Sequence, residues 1–113
     1  MLKLNLLECN ETKKMQNHFR NEISYHENVV EILTKLRDKK QQKINANRCY
    51  HYHTMLYDSD KTEKWVICRT KMDLLRQNLD EINRLIEVEK SYIEKNKYYL
   101  SNANAEHHYC CNE

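Results

Sequence analysis

The chain has 113 residues, 32% of them charged and 40% apolar, with a formal net charge of +2. That length holds one small domain, and so small a charge gives no long-range field to draw in nucleic acid or an anionic membrane. Glycine and proline are both absent, where average usage would supply about a dozen of the two together. Sandwiches, barrels and phosphate-cradling loops all need such residues, which leaves an all-α fold.

In chain order, residues 1–12 read as a flexible lead-in. Leu2, Leu4, Leu6 and Leu7 suit either a short strand or one helical turn, and Asn10 or Thr12 is placed to cap a helix beginning near Lys13. From about 13 to 48 the pattern is helical but uneven. Met15, Phe19 and Ile23 step by four, and Val29, Leu33 and Leu36 continue by four and three. The stripe thins through Lys39–Lys43 and resumes at Ile44. Such a helix needs tertiary contact to persist.

The clearest break is Asp58-Ser59-Asp60. Asp60 with Glu63 fits a capping box, so a second helix should begin near Lys61. Every seventh residue from Trp65 is apolar: Met72, Leu79, Ile86, Ile93 and Leu100. Cys68, Leu75 and Ile82 stand three further on, before the row turns polar at Glu89 and Asn96. Alternating steps of three and four mark a helix that buries one seam against a partner helix. The pattern predicts a coiled-coil-like helix over about 61–101, roughly 60 Å long. Its flanks pair Asp80 with Arg84, Glu87 with Lys90 and Glu94 with Lys97. Asn102–Asn104 read as its stop, and 104–113 as a flexible tail.

Two geometries satisfy this pattern. Either the first helix folds back on the second as an antiparallel hairpin, or the 61–101 helix seeks a copy of itself or another protein. In both, the candidate binding surface is the seam Trp65, Met72, Leu75, Leu79, Ile82, Ile86, Ile93 and Leu100.

Chemistry finds little foothold. Cys49 and His53 stand four apart, and a fold-back near Ser59 would set Cys68 opposite Cys49 as a third zinc ligand. Structural zinc takes four ligands, and no C-x-x-C or H-x-x-x-H pair accompanies these three. The bland reading is a Tyr/His-rich edge with a cysteine acting as a small hydrophobe, so no metal and no cofactor is expected. His107-His108-Tyr109-Cys110-Cys111 would lie near Cys9 in a hairpin, open to metal or redox pairing, but reads first as a frayed end. Five cysteines and no secretory leader suggest free thiols in a reducing cytoplasm. The run Lys35-Leu36-Arg37-Asp38-Lys39-Lys40, with Lys43 and Arg48, reads as a solvated helix face rather than a nucleic-acid surface. No catalytic group is identified, and no run of residues is long and apolar enough to span a membrane.

Two resemblances add expectations. Lys71-Met72-Asp73-Leu74 spells the tetrapeptide of the KxDL family, and so resembles coiled-coil subunits of a lysosome-positioning complex. In length, lack of glycine and proline, one large helix and loose ends, the whole chain is similar to Goddard-like orphan proteins of fly spermatogenesis. That similarity implies a non-enzymatic structural or adaptor role in spermatid differentiation, near the axoneme and centriole, and carries over no site residues. The sequence therefore predicts a helical interaction protein with a protein partner, cytoskeletal or axonemal, and room for self-association.

Overall fold

The computed structural model describes residues 2–46, 49 and 59–111, with side chains from Glu8 to Ala46, at Cys49 and from Glu63 to Cys111. Two helices account for nearly all of them: α1, Leu2–Ala46, and α2, Ser59–Cys111. They pack antiparallel as a helical hairpin. Cys9 meets Cys111, Gln16 meets Asn104 and Cys49 meets Cys68, so partner numbers fall along one helix as they rise along the other.

The α2 seam runs as the heptads require. Met72, Ile82, Ile86, Ile93 and Ala103 are buried, and Trp65, Leu75, Leu79 and Leu100 are half-buried. From Glu63 to Tyr109, every described side chain off the three–four alternation is exposed. A helix tilts each Cβ to a fixed azimuth, so this spacing aims one row at one neighbour. Here the neighbour is the chain's own α1.

The seam of α1 departs from the expected stripe. Its half-buried or buried positions at the same alternation are Cys9, Thr12, Gln16, Phe19, Ile23, His26, Val30, Leu33, Arg37, Lys40 and Ile44. Met15 and Leu36, the apolar residues that spacing assigns to it, are 42% and 41% exposed. Polar Thr12 and Gln16 take the inner places instead. Arg37 and Lys40, assigned to the solvated face, lie on the seam with stems long enough to cover apolar surface while the charged head reaches water.

Both helices overrun their expected bounds. Residues 2–12 are helical rather than strand or coil, and Thr12 is a buried internal residue whose hydroxyl donates to the Cys9 carbonyl at 2.9 Å. At the other end α2 passes through Asn102–Asn104 without stopping. Ala103 is only 1% exposed, and Asn104 accepts from Gln16 Nε2 at 2.8 Å instead of capping. The seam continues through His107 and Cys110, which is why residues 104–111 form helix and not a tail. Asp58, with the side chains of Ser59 and Asp60, lies outside the described residues, as do Arg48, His53 and the tyrosines of the 50–57 cluster.

The hairpin divides into two compact units, Met1–Glu31 with Glu87–Glu113, and Ile32–Ile86. The first holds three polar cross-links, Thr12 with His107, Gln16 with Asn104 and His26 with Glu89. The second holds the more apolar seam and the Cys49–Cys68 disulfide. On the outer faces Glu87–Lys90 and Glu94–Lys97 pair at 3.7 Å each, as expected, whereas Arg84 takes Glu81 at 3.3 Å and not Asp80. All are exposed and contribute a few tenths of a kcal/mol each. Among the described residues no helix is long and apolar enough to cross a membrane.

Ile86, at 2% exposure, is the most deeply placed large side chain of the seam. Ile86→Ala should cost about 2–5 kcal/mol in urea unfolding followed by circular dichroism. Leu74→Ala, at a position 54% exposed, should fall within about 0.5 kcal/mol of the parent. Equal losses at the two positions would contradict this seam.

Candidate functional site

Among the described residues, the unit built from Met1–Glu31 and Glu87–Glu113 gathers a disulfide, two bonded histidines and three polar cross-links. A disulfide joins Cys9 to Cys111 across 102 residues of chain, with Cα atoms 5.5 Å apart. The antiparallel register brings the two Cα atoms within the range a disulfide requires. Cys49 and Cys68 are joined likewise, at 5.6 Å. Four of the five cysteines are therefore paired, against the expectation of free thiols. Pairing also removes Cys49 and Cys68 from metal ligation, and His53, the third of that set, is not among the described residues. The expected neighbourhood of Cys9 and the 107–111 cluster is present.

Beside the first disulfide, His107 Nδ1 lies 2.9 Å from Thr12 Oγ1 and 3.3 Å from Cys111 Sγ. Thr12 has one hydroxyl proton and donates it to the Cys9 carbonyl. Towards His107 it is thus an acceptor, which places the ring proton on Nδ1 and leaves the lone pair on Nε2. Cys110 is outside any disulfide and its Sγ lies 3.9 Å from Glu8 Oε2. An open groove of about 650 Å³ runs alongside, with Met15, Ala105 and Tyr109 as apolar lining and Glu8, Glu11 and Glu106 as its charged part.

Further along the same unit, His26 bridges two carboxylates. Its Nδ1 bonds Glu89 across the seam, and its Nε2 lies 3.4 Å from Glu22 on its own helix. The ring also stacks on Tyr92 at 5.2 Å between centroids, and Phe19 meets Tyr99 at 5.5 Å. Among the described residues no buried side-chain nitrogen or oxygen lacks a hydrogen-bond partner. Polar groups at inner positions of a helix pair are costly unless matched, so each matched pair favours one register over its neighbours.

The eight residues expected to bind a partner are all brought onto one seam, and that seam is occupied by α1. An external helix would reach them only by displacing α1. The tyrosines behave otherwise. Tyr92, Tyr98 and Tyr99, expected at the seam or its edge, are 44%, 65% and 43% exposed, while Tyr25 is 63% and Tyr109 81% exposed. All five tyrosines of this unit thus remain in contact with water. In the basic run Arg37 pairs with Asp38 at 3.4 Å, while Lys39, Lys40 and Lys43 line one recess with Leu36, Gln42 and Ala46.

No protein-family model matches the chain, and neither curated proteins nor solved structures give a match.

Removing the disulfides should weaken the hairpin, the longer loop costing more because the closure entropy grows with the logarithm of its length. Cys49→Ser, opening a loop of 19 residues, should cost about 3 kcal/mol, and Cys9→Ser, opening one of 102, about 4.7 kcal/mol. Denaturant midpoints measured on the oxidised chain check this. Midpoints unchanged from the parent would show that the thiols are not paired.

Proposed function

We propose that this chain is a non-enzymatic structural or adaptor protein, a helical hairpin that presents the tyrosine-bearing exterior of its Met1–Glu31/Glu87–Glu113 unit to a protein partner. The observation that carries the proposal is the exposure of Tyr25, Tyr92, Tyr98, Tyr99 and Tyr109 on helices whose inner row is already filled. A tyrosine offers a large, rigid, amphipathic surface at low entropic cost, and such residues are enriched at protein interfaces. The glutamate-flanked groove beside Tyr109 suits an apolar segment carrying basic residues.

The likeness to Goddard-like proteins in length and in lack of glycine and proline supports a setting in spermatid differentiation, with a cytoskeletal partner in the axoneme or centriole region. The KxDL-type reading is less favoured. Of its four residues Met72 is buried in the hairpin, and only Lys71, Asp73 and Leu74 are exposed.

Co-sedimentation with axonemes prepared from spermatids tests the proposal. The triple variant Tyr25→Ser, Tyr98→Ser, Tyr109→Ser should keep the parent's helix content and bind at least about tenfold more weakly, as the loss of interface aromatics does elsewhere. Undiminished binding by that variant, or failure of the parent chain to sediment with axonemes, would overturn it.

A further inference from the structure

We infer that, once the Cys9–Cys111 disulfide is reduced, Cys9, His107 and Cys111 form a zinc site that clamps the end of the hairpin in its place. The two sulfurs and a ring nitrogen of His107 already lie within 4.8 Å of one another, all half-buried. A tetrahedral zinc ion bonds sulfur at about 2.3 Å and imidazole nitrogen at about 2.0–2.1 Å, so its ligand atoms stand less than about 4 Å apart. Reduction frees the two sulfurs to part to that spacing. Two thiolates and an imidazole are the donor set that zinc and other borderline metals prefer over magnesium or calcium.

The histidine is already aimed at the sulfurs. In the oxidised chain Thr12, 6% exposed with its hydroxyl proton engaged by the Cys9 carbonyl, accepts from His107 Nδ1 at 2.9 Å. The same Nδ1 lies 3.3 Å from Cys111 Sγ, so it is the nitrogen that faces the sulfurs and takes the metal, giving up its bond to Thr12 while the neutral ring carries its proton on Nε2. Three protein ligands leave the fourth position to water.

Disulfide and metal exclude each other. Two equivalents of a monothiol reductant, glutathione being the cytoplasmic one, convert the disulfide to two cysteine thiols and leave one molecule of oxidised reductant. Binding of Zn²⁺ then displaces the two thiol protons to solvent. The same two helix ends are joined in either state, by a sulfur–sulfur bond or through the ion. This holds for the isolated chain and does not depend on which partner it binds.

Cobalt titration of the full-length chain, reduced and kept free of oxygen, tests the site. One Co²⁺ per chain should bind with the visible bands of tetrahedral coordination and thiolate charge transfer, and Zn²⁺ should displace it. The oxidised chain should bind none. Cys9→Ser and His107→Gln should each remove the spectrum. The double variant Cys49→Ser, Cys68→Ser and the single variant Cys110→Ser should leave it intact, with circular dichroism confirming the helices in each. A six-coordinate spectrum, no binding, or a spectrum that survives Cys9→Ser but not Cys110→Ser would overturn the proposal. The last result would assign the metal to the C-terminal cysteines alone.

Discussion

One row of side chains, stepping by three and four along α2, has to be kept from water over its whole described run. Everything else in the hairpin depends on how that is met. Ile82, Ile86 and Ile93 supply the hydrophobic gain, and among the described residues α1 is the element long enough to cover them. Covering them aligns the helices antiparallel, and the alignment brings together cysteines that are 102 residues apart. Two packed helices bury a seam and no thick core, so stability rests on that seam and on cross-links that limit the unfolded chain.

Apolar rows alone choose their register weakly, because a shift by one heptad presents much the same surface. The Met1–Glu31/Glu87–Glu113 unit settles the choice with polar partners at inner positions. Thr12 with His107, Gln16 with Asn104 and His26 with Glu89 each find their match only in the observed alignment. Burying these groups costs desolvation, which the matched hydrogen bonds offset. What remains is specificity. The same arrangement leaves the tyrosines outside, so closing the hairpin and building an interface draw on different faces of the same helices.

The all-α class and the row from Trp65 to Leu100 were legible in the sequence, because a strict seven-residue repeat in a chain without glycine or proline admits one local structure. The row of α1 was legible only in part, through Phe19, Ile23, Leu33 and Ile44. Its other inner positions include Thr12, Gln16, His26, Arg37 and Lys40, while Met15 and Leu36, equally apolar, are 42% and 41% exposed. Polar residues become inner residues only when the opposite helix answers them, and that depends on register. For the same reason Asn104 read as a stop signal when it is a partner for Gln16. The nearness of Cys9 to His107 and Cys111 could be stated only on condition of a hairpin, and Cys49 was placed opposite Cys68 on the same condition, as a candidate ligand set that was set aside, with no disulfide expected.

The central claim is that α1 of the same chain covers the α2 seam. Amide hydrogen exchange, followed by mass spectrometry at two protein concentrations tenfold apart, tests it most directly. The peptides spanning Ile23–Leu33 and Ile82–Ile93 should be protected to a similar degree and to the same extent at both concentrations. Protection of the Ile82–Ile93 peptide alone, or protection that falls on dilution, would mean that the seam is covered by another chain, and would contradict the hairpin.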